Sequence, residues 1–334
     1  MDLMGHKLGK YQVAERLGRG GMAMVYKAYQ PSVERVVAIK VLHRHLAADP
    51  DFIERFQREA RLAGQLLHPH LVRLIDFDQE GDQYYMVMDY VRGSTLEDYL
   101  KKHAPLAPAI ALQIMTQLVD ALGYAHDLGM IHRDIKPANI MFMNEEATHT
   151  VLTDFGLARI LGEDGMTVTG QMIGTPAYMS LEAVHGEKVD KRADIYSLGI
   201  VLYEMLCGRT PYIANTPYKM ILQQLHDPLP SIQEFNPTVP EVIENLIMKA
   251  LAKEPTERYQ SAKEFQSAIK STQAMLNGGE VVPSSPKVTR RMIKEPSPPT
   301  TSTSSQAKNL MPLLLAVGGV LLVALIVVGL LFVF

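Results

Sequence analysis

The last 25 residues of the chain, 310–334, contain no charged side chain. From Leu313 to Phe334 there are 22 residues, which as a helix would extend about 33 Å and so match a bilayer hydrocarbon core of roughly 30 Å. The run is too uniformly apolar for a buried helix of a soluble domain, and it lies at the wrong end for a secretion signal. We therefore expect residues 310–334 to form a transmembrane helix.

The preceding segment, 271–309, has the composition of a disordered juxtamembrane linker. It contains 5 Pro and 12 Ser or Thr in 39 residues, so it has too few apolar side chains to bury. Five Lys or Arg against two Glu give it a net charge of +3. Because an excess of Lys and Arg beside a membrane span stays on the cytoplasmic side, we expect a single-pass membrane protein with residues 1–309 in the cytoplasm. The chain ends inside the apolar run, so we expect either a tail anchor or an extracellular sensor beyond Phe334.

Composition excludes several classes of function for the folded region, which we place at about 8–270. The chain is 47% hydrophobic and 21% charged, a composition that folds. Its net charge of −3, from 33 Lys or Arg against 36 Asp or Glu, offers no basic field for nucleic acid. The single cysteine, Cys207, excludes an intrachain disulfide, and no Cys/His cluster has the spacing of a zinc site.

Three strand-like runs open the folded region. Tyr11–Leu17 and Met24–Tyr29 flank the glycine cluster GRGG at 18–21, and Val36–Leu42 is apolar and β-branched except for Lys40. An isolated GRGG hairpin is ordinarily only a turn. Glycines also let backbone N–H groups approach a phosphate closely, and an ammonium group can neutralise the same phosphate. Together these features predict a nucleotide site.

A lysine inside an apolar strand is costly unless it is paired. The next segment, Pro50–Leu67, has apolar residues at approximately helical spacing and carries two candidate partners, Glu59 and Glu54. The pattern alone favours Glu59, which is central on the helix, without excluding Glu54.

Two polar segments follow at longer range. Asp134, Lys136 and Asn139 occur in one loop enclosed by apolar residues, and Asp154 follows a short apolar run and precedes Gly156, which permits a sharp turn. The amide oxygen of Asn139 and the carboxylate of Asp154 are hard oxygen ligands of the kind that Mg²⁺ takes beside phosphate oxygens. The sequence therefore predicts a magnesium and phosphate site.

In order, the segments GRGGMAMV, AIKV, Glu59, HRDIKPAN, DFG, GTPAYMSLE and DIYSLG closely resemble the protein kinase fold over about 8–270. The forms GRGGMAMVY and GTPAYMS, with a C-terminal membrane span, look like the bacterial, eukaryote-like, receptor-type Ser/Thr kinases. The fold class implied is α+β: an N-lobe antiparallel sheet with one helix at about 8–90, and a mainly helical C-lobe at about 91–270.

The resemblance implies how ATP and Mg²⁺ are held. Lys40 would bind the α- and β-phosphates while paired with Glu59, and Asp154 and Asn139 would hold magnesium. Met88 would be the gatekeeper of the adenine pocket. The full set of residues implied for ATP and its metal is Leu17, Gly18, Arg19, Gly20, Gly21, Met22, Ala23, Met24, Val25, Ala38, Lys40, Met88, Asp89, Val91, Asn139, Met141 and Asp154.

The resemblance also implies the acceptor chemistry. Asp134 would orient the substrate hydroxyl and accept its proton, and Lys136 would steady the γ-phosphate. A lysine two residues after the catalytic aspartate is the pattern of Ser/Thr rather than Tyr kinases.

Two positions depart from the family pattern. Ala23 replaces the third glycine of the loop and adds only a methyl group. Leu181 replaces the proline of the segment Ser180-Leu181-Glu182, which makes the peptide-docking backbone less rigid. Glu182 would still form a buried ion pair with Arg258.

The resemblance also indicates regulation. Thr167 and Thr169 lie between Asp154 and Glu182, and a phosphate on either could pair with Arg133. Thr175 resembles the threonine that contacts the catalytic loop. Autophosphorylation between two copies would call for a homodimer, which the sequence itself does not indicate.

The predicted partners are protein substrates with Ser or Thr acceptors and the membrane, with no nucleic acid. The main alternative is a membrane-tethered pseudokinase scaffold, which the intact set Lys40, Glu59, Asp134, Asn139 and Asp154 disfavours. A small-molecule kinase of similar fold is disfavoured by the peptide-docking segment.

Overall fold

The computed structural model describes residues 3–144, 146–155 and 176–278. The predicted transmembrane helix, most of the predicted linker, Gly156 and the three loop threonines discussed above lie outside these ranges. Within them, no helix is both long enough and apolar enough to cross a bilayer.

The N-terminal part is a six-stranded antiparallel sheet in the order β1-β2-β3-β4-β6-β5. Its strands are β1 (Lys7–Leu8), β2 (Tyr11–Arg19), β3 (Ala23–Gln30), β4 (Arg35–Leu42), β5 (Leu74–Glu80) and β6 (Gln83–Asp89). The three predicted strands are confirmed to within two residues at each end. The glycine cluster lies where β2 leads into β3, as predicted, with Gly18 at the end of β2 and Gly20 and Gly21 in the turn.

The register of the sheet decides which side chains share a face. Val25 lies opposite Lys40, and Ala38 lies opposite Met88. Because successive side chains alternate between faces, these four point to the same side. Met24 points to the other side, where it packs against an apolar cluster that includes Tyr26 and Ile39.

Two helices follow β4: α1 (Arg44–Ala47) and α2 (Pro50–Ala63). The side chain of Asp49 caps α2 by accepting from the N–H groups of Asp51 and Phe52. The helix ends at Ala63 rather than at the predicted Leu67. Phe52 and Phe56 bury its apolar face against Leu42 and Met86.

The C-terminal part is mainly helical. Its elements are α3 (Leu96–His103), α4 (Pro108–Asp127), the hairpin β7 (Ile140–Phe142) and β8 (Thr150–Leu152), α5 (Leu181–Val184), α6 (Lys191–Cys207), α7 (Pro217–His226), α8 (Ile232–Phe235), α9 (Glu241–Ala250) and α10 (Ala262–Leu276). Helix α6 is buried along most of its length and forms the centre of the core with α4.

Helix α10 extends beyond the predicted domain end at 270. It continues to Leu276, and Thr272 within this extension is only 4% exposed. The predicted start of the linker at residue 271 is therefore wrong, because the composition of 271–276 resembles a linker while its buried face belongs to the folded core.

The predicted pair Glu182–Arg258 is confirmed as a buried bidentate ion pair. The two terminal guanidinium nitrogens, Nη1 and Nη2, each lie 2.9 Å from a Glu182 carboxylate oxygen, and Arg258 also donates to the carbonyls of Ala252 and Lys253. Arg258 is 1% exposed and Glu182 is 6% exposed. The pair ties the start of α5 to the segment before α10.

Replacing Glu182 by Ala leaves the Arg258 charge buried without its carboxylate. We expect the free energy of unfolding to fall by about 3–5 kcal/mol, the usual cost of breaking one side of a buried pair. The measurement is urea denaturation of residues 1–278. The matched control is Glu97→Ala, which removes an exposed ion pair with Lys101 and should change stability little. Equal effects of the two variants would contradict the prediction.

Candidate active site

The turn between β2 and β3 has glycines that packing does not require. A side chain added at Gly18 or Gly21 would meet no atom within 4 Å, and neither residue has a left-handed backbone. The turn is closed by the Gly20 N–H, which donates to the Ala23 carbonyl at 2.8 Å. Open space beside backbone N–H groups is what close approach of a phosphate needs.

Lys40 forms its ion pair with Asp154 rather than with Glu59. The Lys40 Nζ lies 2.8 Å from Asp154 Oδ1, with the two side chains 12% and 28% exposed. Glu59 is on α2 and 5% exposed, but no ion pair between it and Lys40 is among those of the described residues. Asp154 therefore takes the place of the predicted partner, Glu59. The backbone after β8 brings the Asp154 carboxylate close to the Lys40 ammonium group. Spacing along the sequence does not determine that approach.

The environment of Asp154 favours its ionised form. Burial raises the pKa of this carboxyl, but the charge and hydrogen bond of Lys40, with smaller contributions from His132 and Lys136, lower it below the usual 3.8. Asp154 is thus a carboxylate across the physiological range. Its backbone is left-handed, with φ of 63°, a strain that typically occurs at functional sites.

The predicted loop residues come together around one carboxylate. Lys136 Nζ lies 2.9 and 2.7 Å from the two oxygens of Asp134. The amide nitrogen of Asn139 donates to the Asp134 backbone carbonyl at 2.7 Å and to its Oδ2 at 2.8 Å. These bonds fix the orientation of the Asp134 carboxylate and keep a cation beside it.

The loop is held in place by Asp194 on α6. This carboxylate is fully buried and accepts from the backbone N–H groups of His132 and Arg133 and from His126 Nε2, each at 2.8 Å. Arg133 has φ of 67°, and such a conformation persists only when its surroundings impose it. Asp194 belongs to the segment DIYSLG, for which no role was predicted from the sequence, although an acid in an apolar helix indicates a buried, paired carboxylate.

His132 connects this loop to Asp154. Its Nδ1 accepts from the Asp134 N–H at 3.2 Å, so the proton lies on Nε2, which donates to the Thr153 carbonyl at 2.8 Å. The imidazole is 0% exposed and packs edge-on against Phe155. The two halves of the site are therefore joined through one ring, for which no role was predicted from the sequence.

The residues present fit a magnesium ion. Both amide hydrogens of Asn139 are directed to Asp134, and no described residue donates to its oxygen, which leaves Oδ1 as a ligand atom. Asp154 uses Oδ1 for Lys40 and has Oδ2 for a metal. Among the described residues, no group of three or more His, Cys, Asp or Glu side chains is placed to hold a metal ion.

The residues predicted to bind ATP differ in how far their side chains are exposed. Ala38 and Val91 are each 7% exposed, Val25, Met88 and Met141 are half-buried, and Leu17 is 43% exposed. Arg19 and Asp89 are exposed, Ala23 is buried, and Met22 packs against the cluster beneath α2. Met24, also predicted in the ATP set, has its side chain on the opposite face of the sheet because of strand alternation, so only its backbone lies toward the glycine turn.

The segment after residue 175 is held by side chains of α6 and α7. Gln224, which is 1% exposed, donates to the carbonyls of Pro176 and Ala177 at 2.9 and 3.1 Å. Ser197 donates to the Tyr178 carbonyl at 2.7 Å, and the Tyr178 hydroxyl donates to Glu204 at 2.6 Å. Side-chain hydrogen bonds thus fix a backbone that Leu181 leaves less rigid than proline would.

The model of the protein kinase domain family matches residues 11–271. The chain belongs to the protein kinase family. The match covers strands β2 to β6, the glycine turn, the loop of Asp134 and the helical part as far as residue 271 in α10.

Serine/threonine-protein kinase PrkC of Bacillus subtilis is 42% identical over 270 residues, which are 80% of this chain and 41% of PrkC. Serine/threonine-protein kinase PknB of Mycolicibacterium smegmatis is 42% identical over 271 residues, 79% of this chain and 43% of PknB. The chain therefore spans about two-fifths of the length of these curated relatives.

Solved structures show the same fold. The kinase domain of Mycobacterium tuberculosis PknI is similar with a TM-score of 0.65 and 30% identity, covering 81% of this chain and 100% of the PknI chain. A Rad53 fragment in complex with AMP-PNP has a TM-score of 0.66 and 26% identity, covering 78% of this chain and 64% of its own.

Proposed function

We propose that this protein transfers the γ-phosphoryl group of ATP to Ser and Thr hydroxyls of proteins, in membrane-linked signalling. The observation that carries the proposal is the Asp134 carboxylate, held by Lys136 and Asn139 on a loop that Asp194 fixes in a strained conformation. The relatives PrkC and PknB are named serine/threonine-protein kinases, and the AMP-PNP bound to Rad53 is an analogue of ATP.

The donor side would use residues from both parts of the fold. The open glycine turn would cover the phosphates, and Lys40 would neutralise their charge. Asn139 and Asp154 would hold Mg²⁺, which when bound screens the phosphate oxygens and orients the γ-phosphorus. Since Lys40 already lies against Asp154, both groups are directed to the same place.

On the acceptor side, Asp134 would orient the substrate hydroxyl and receive its proton. A bond forms between the hydroxyl oxygen and the γ-phosphorus while the bond to the β–γ bridging oxygen breaks, leaving ADP. Lys136, 2.7 Å from the Asp134 carboxylate, would stabilise the negative charge on the transferred group. Positioning and charge neutralisation supply most of the acceleration.

The first test is phosphorylation of Ser or Thr in a generic basic protein by residues 1–278 with ATP and Mg²⁺. Asp134→Asn and Lys40→Met should abolish transfer, since positioned proton transfer alone is typically worth about 10²–10⁴ in rate. Lys101→Met, which changes an exposed lysine of α3, is the control. Unchanged radiolabel transfer in both site variants would show that the assigned site is wrong.

A scaffold without catalysis is the second candidate. It would be favoured if the wild type bound nucleotide but transferred no phosphate to any protein while Mg²⁺ was present.

Regulation by autophosphorylation is a further part of the proposal. Thr167 and Thr169 lie outside the described residues but between Asp154 and Glu182 in the sequence. Arg133 precedes Asp134 directly, so a phosphate paired with its guanidinium would be tied to the catalytic loop. Transfer between two copies of the chain would require at least a transient homodimer.

We expect wild-type enzyme to phosphorylate a Lys40→Met copy at Thr167 and Thr169, as read by phosphopeptide mapping. Replacing both threonines by Ala should lower activity toward other proteins more than it lowers ATP binding. Thr256→Ala, an exposed threonine elsewhere, is the control. Active enzyme in which neither threonine is modified, or a fully active double variant, would contradict this mechanism.

Membrane attachment rests on the apolar run 310–334, for which we keep the proposal of a transmembrane helix. The full chain should remain with membranes through carbonate and high-salt washing, because a long uncharged run inserts far more firmly than a surface helix. Removal of 310–334 should release active enzyme. Extraction of the full chain without detergent would rule out the span.

A further inference from the structure

His43 contacts the glycine turn at two points. It directly follows β4, the strand that carries Lys40. Its backbone N–H donates to the carbonyl of Met22 at 2.8 Å, and its ring Nε2 lies 3.0 Å from the carbonyl oxygen of Gly20. A carbonyl oxygen only accepts, so Nε2 carries the proton in this contact.

These contacts fix the direction of a peptide group within the turn. In a trans peptide the C=O of one residue and the N–H of the next point in opposite directions. A Gly20 carbonyl turned toward His43 therefore turns the Gly21 N–H away from it. The N–H of Gly20 itself is used by the Ala23 carbonyl, so the Gly21 N–H is a donor whose direction the imidazole controls.

Packing around Gly21 does not control the direction of this peptide group. A Cβ at Gly21 would meet nothing within 4 Å, so no neighbouring atom packs against that position. Glycine is also the residue with the most backbone freedom. Met22, by contrast, packs against an apolar cluster, so the turn is anchored by that side chain and by hydrogen bonds, two of which come from His43.

We propose that His43 is a positioning residue for ATP: its imidazole fixes the glycine turn relative to Lys40, so that turn N–H groups and the ammonium meet the same phosphates. The proposal rests on the ATP site described above. His43 itself does not touch the nucleotide or the reacting atoms.

The surroundings of His43 make the idea testable by chemical rescue. The ring lines a solvent-open cavity of about 270 Å³ on the sheet, together with Arg19, Arg44 and His45. The His45 ring stacks on that of His43 with centroids 5.7 Å apart. His45 is thus a matched control of the same chemistry, in the same cavity, for which the structure shows no hydrogen bond to the turn.

The experiment uses steady-state kinetics of the full chain in detergent micelles, with ATP and a basic protein substrate varied separately. His43→Ala should raise KM for ATP about three- to tenfold, the range for loss of one hydrogen bond, and leave kcat and KM for the protein substrate within about twofold. His45→Ala should match wild type. His43→Gln, which keeps an N–H donor at similar reach, should recover most of the loss.

Added imidazole should lower the raised KM of His43→Ala, because the cavity opens to solvent, and should not improve His45→Ala or wild type. The inference is overturned if His43→Ala matches His45→Ala. It is also overturned if the rise in KM is reversed by neither imidazole nor the Gln variant, since His43 would then act only through general folding. An inactive wild type would instead refute the proposed kinase function, so the two failures are distinguishable.

Discussion

The buried carboxylate of Asp194 is the constraint on which the site depends. An ionised carboxylate in a protein interior is strongly unfavourable unless hydrogen bonds satisfy it. Asp194 obtains three, from His126 and from the backbone N–H groups of His132 and Arg133. Satisfying this carboxylate therefore forces the loop before Asp134 into a conformation that the chain would otherwise avoid, with Arg133 in the left-handed region. The conformation of the Asp134 loop therefore depends on a carboxylate supplied by helix α6.

His132 connects that loop to the rest of the site. Its ring accepts from the Asp134 N–H and donates to Thr153, the residue before Asp154. The backbone of Asp134 and that of Thr153, next to Asp154, are thus both held by one buried side chain. The glycine turn is different, because a Cβ at Gly18 or Gly21 would meet only open space, and the turn is anchored by the Met22 side chain and by hydrogen bonds to its backbone.

Much of the fold could be predicted because its signals are local. Alternating apolar residues and glycines predicted β2 to β4, and Asp134, Lys136 and Asn139 occur so close together in sequence that one loop must carry them. The pair Glu182–Arg258 was predictable only through resemblance, since the two residues are 76 positions apart. The end of α10 was missed because residues 271–276 have a linker's composition, and what makes them helical is a buried face against the core.

By itself, the sequence determined the class of fold, the set of polar groups on which the proposed phosphate, metal and proton chemistry rests, and the uncharged apolar run for which we propose a membrane span, because each depends on residue type and spacing. Tertiary structure decided which of those groups meet. It paired Lys40 with Asp154, turned the Met24 side chain away from the face that carries Lys40, and placed His43 in contact with the glycine turn. Such contacts depend on strand register and on the direction of the backbone after each strand. A register shift of one residue, or the flip of one peptide plane, turns the groups concerned to the opposite side. Residue patterns carry no such information, so these contacts become visible only when the chain is folded.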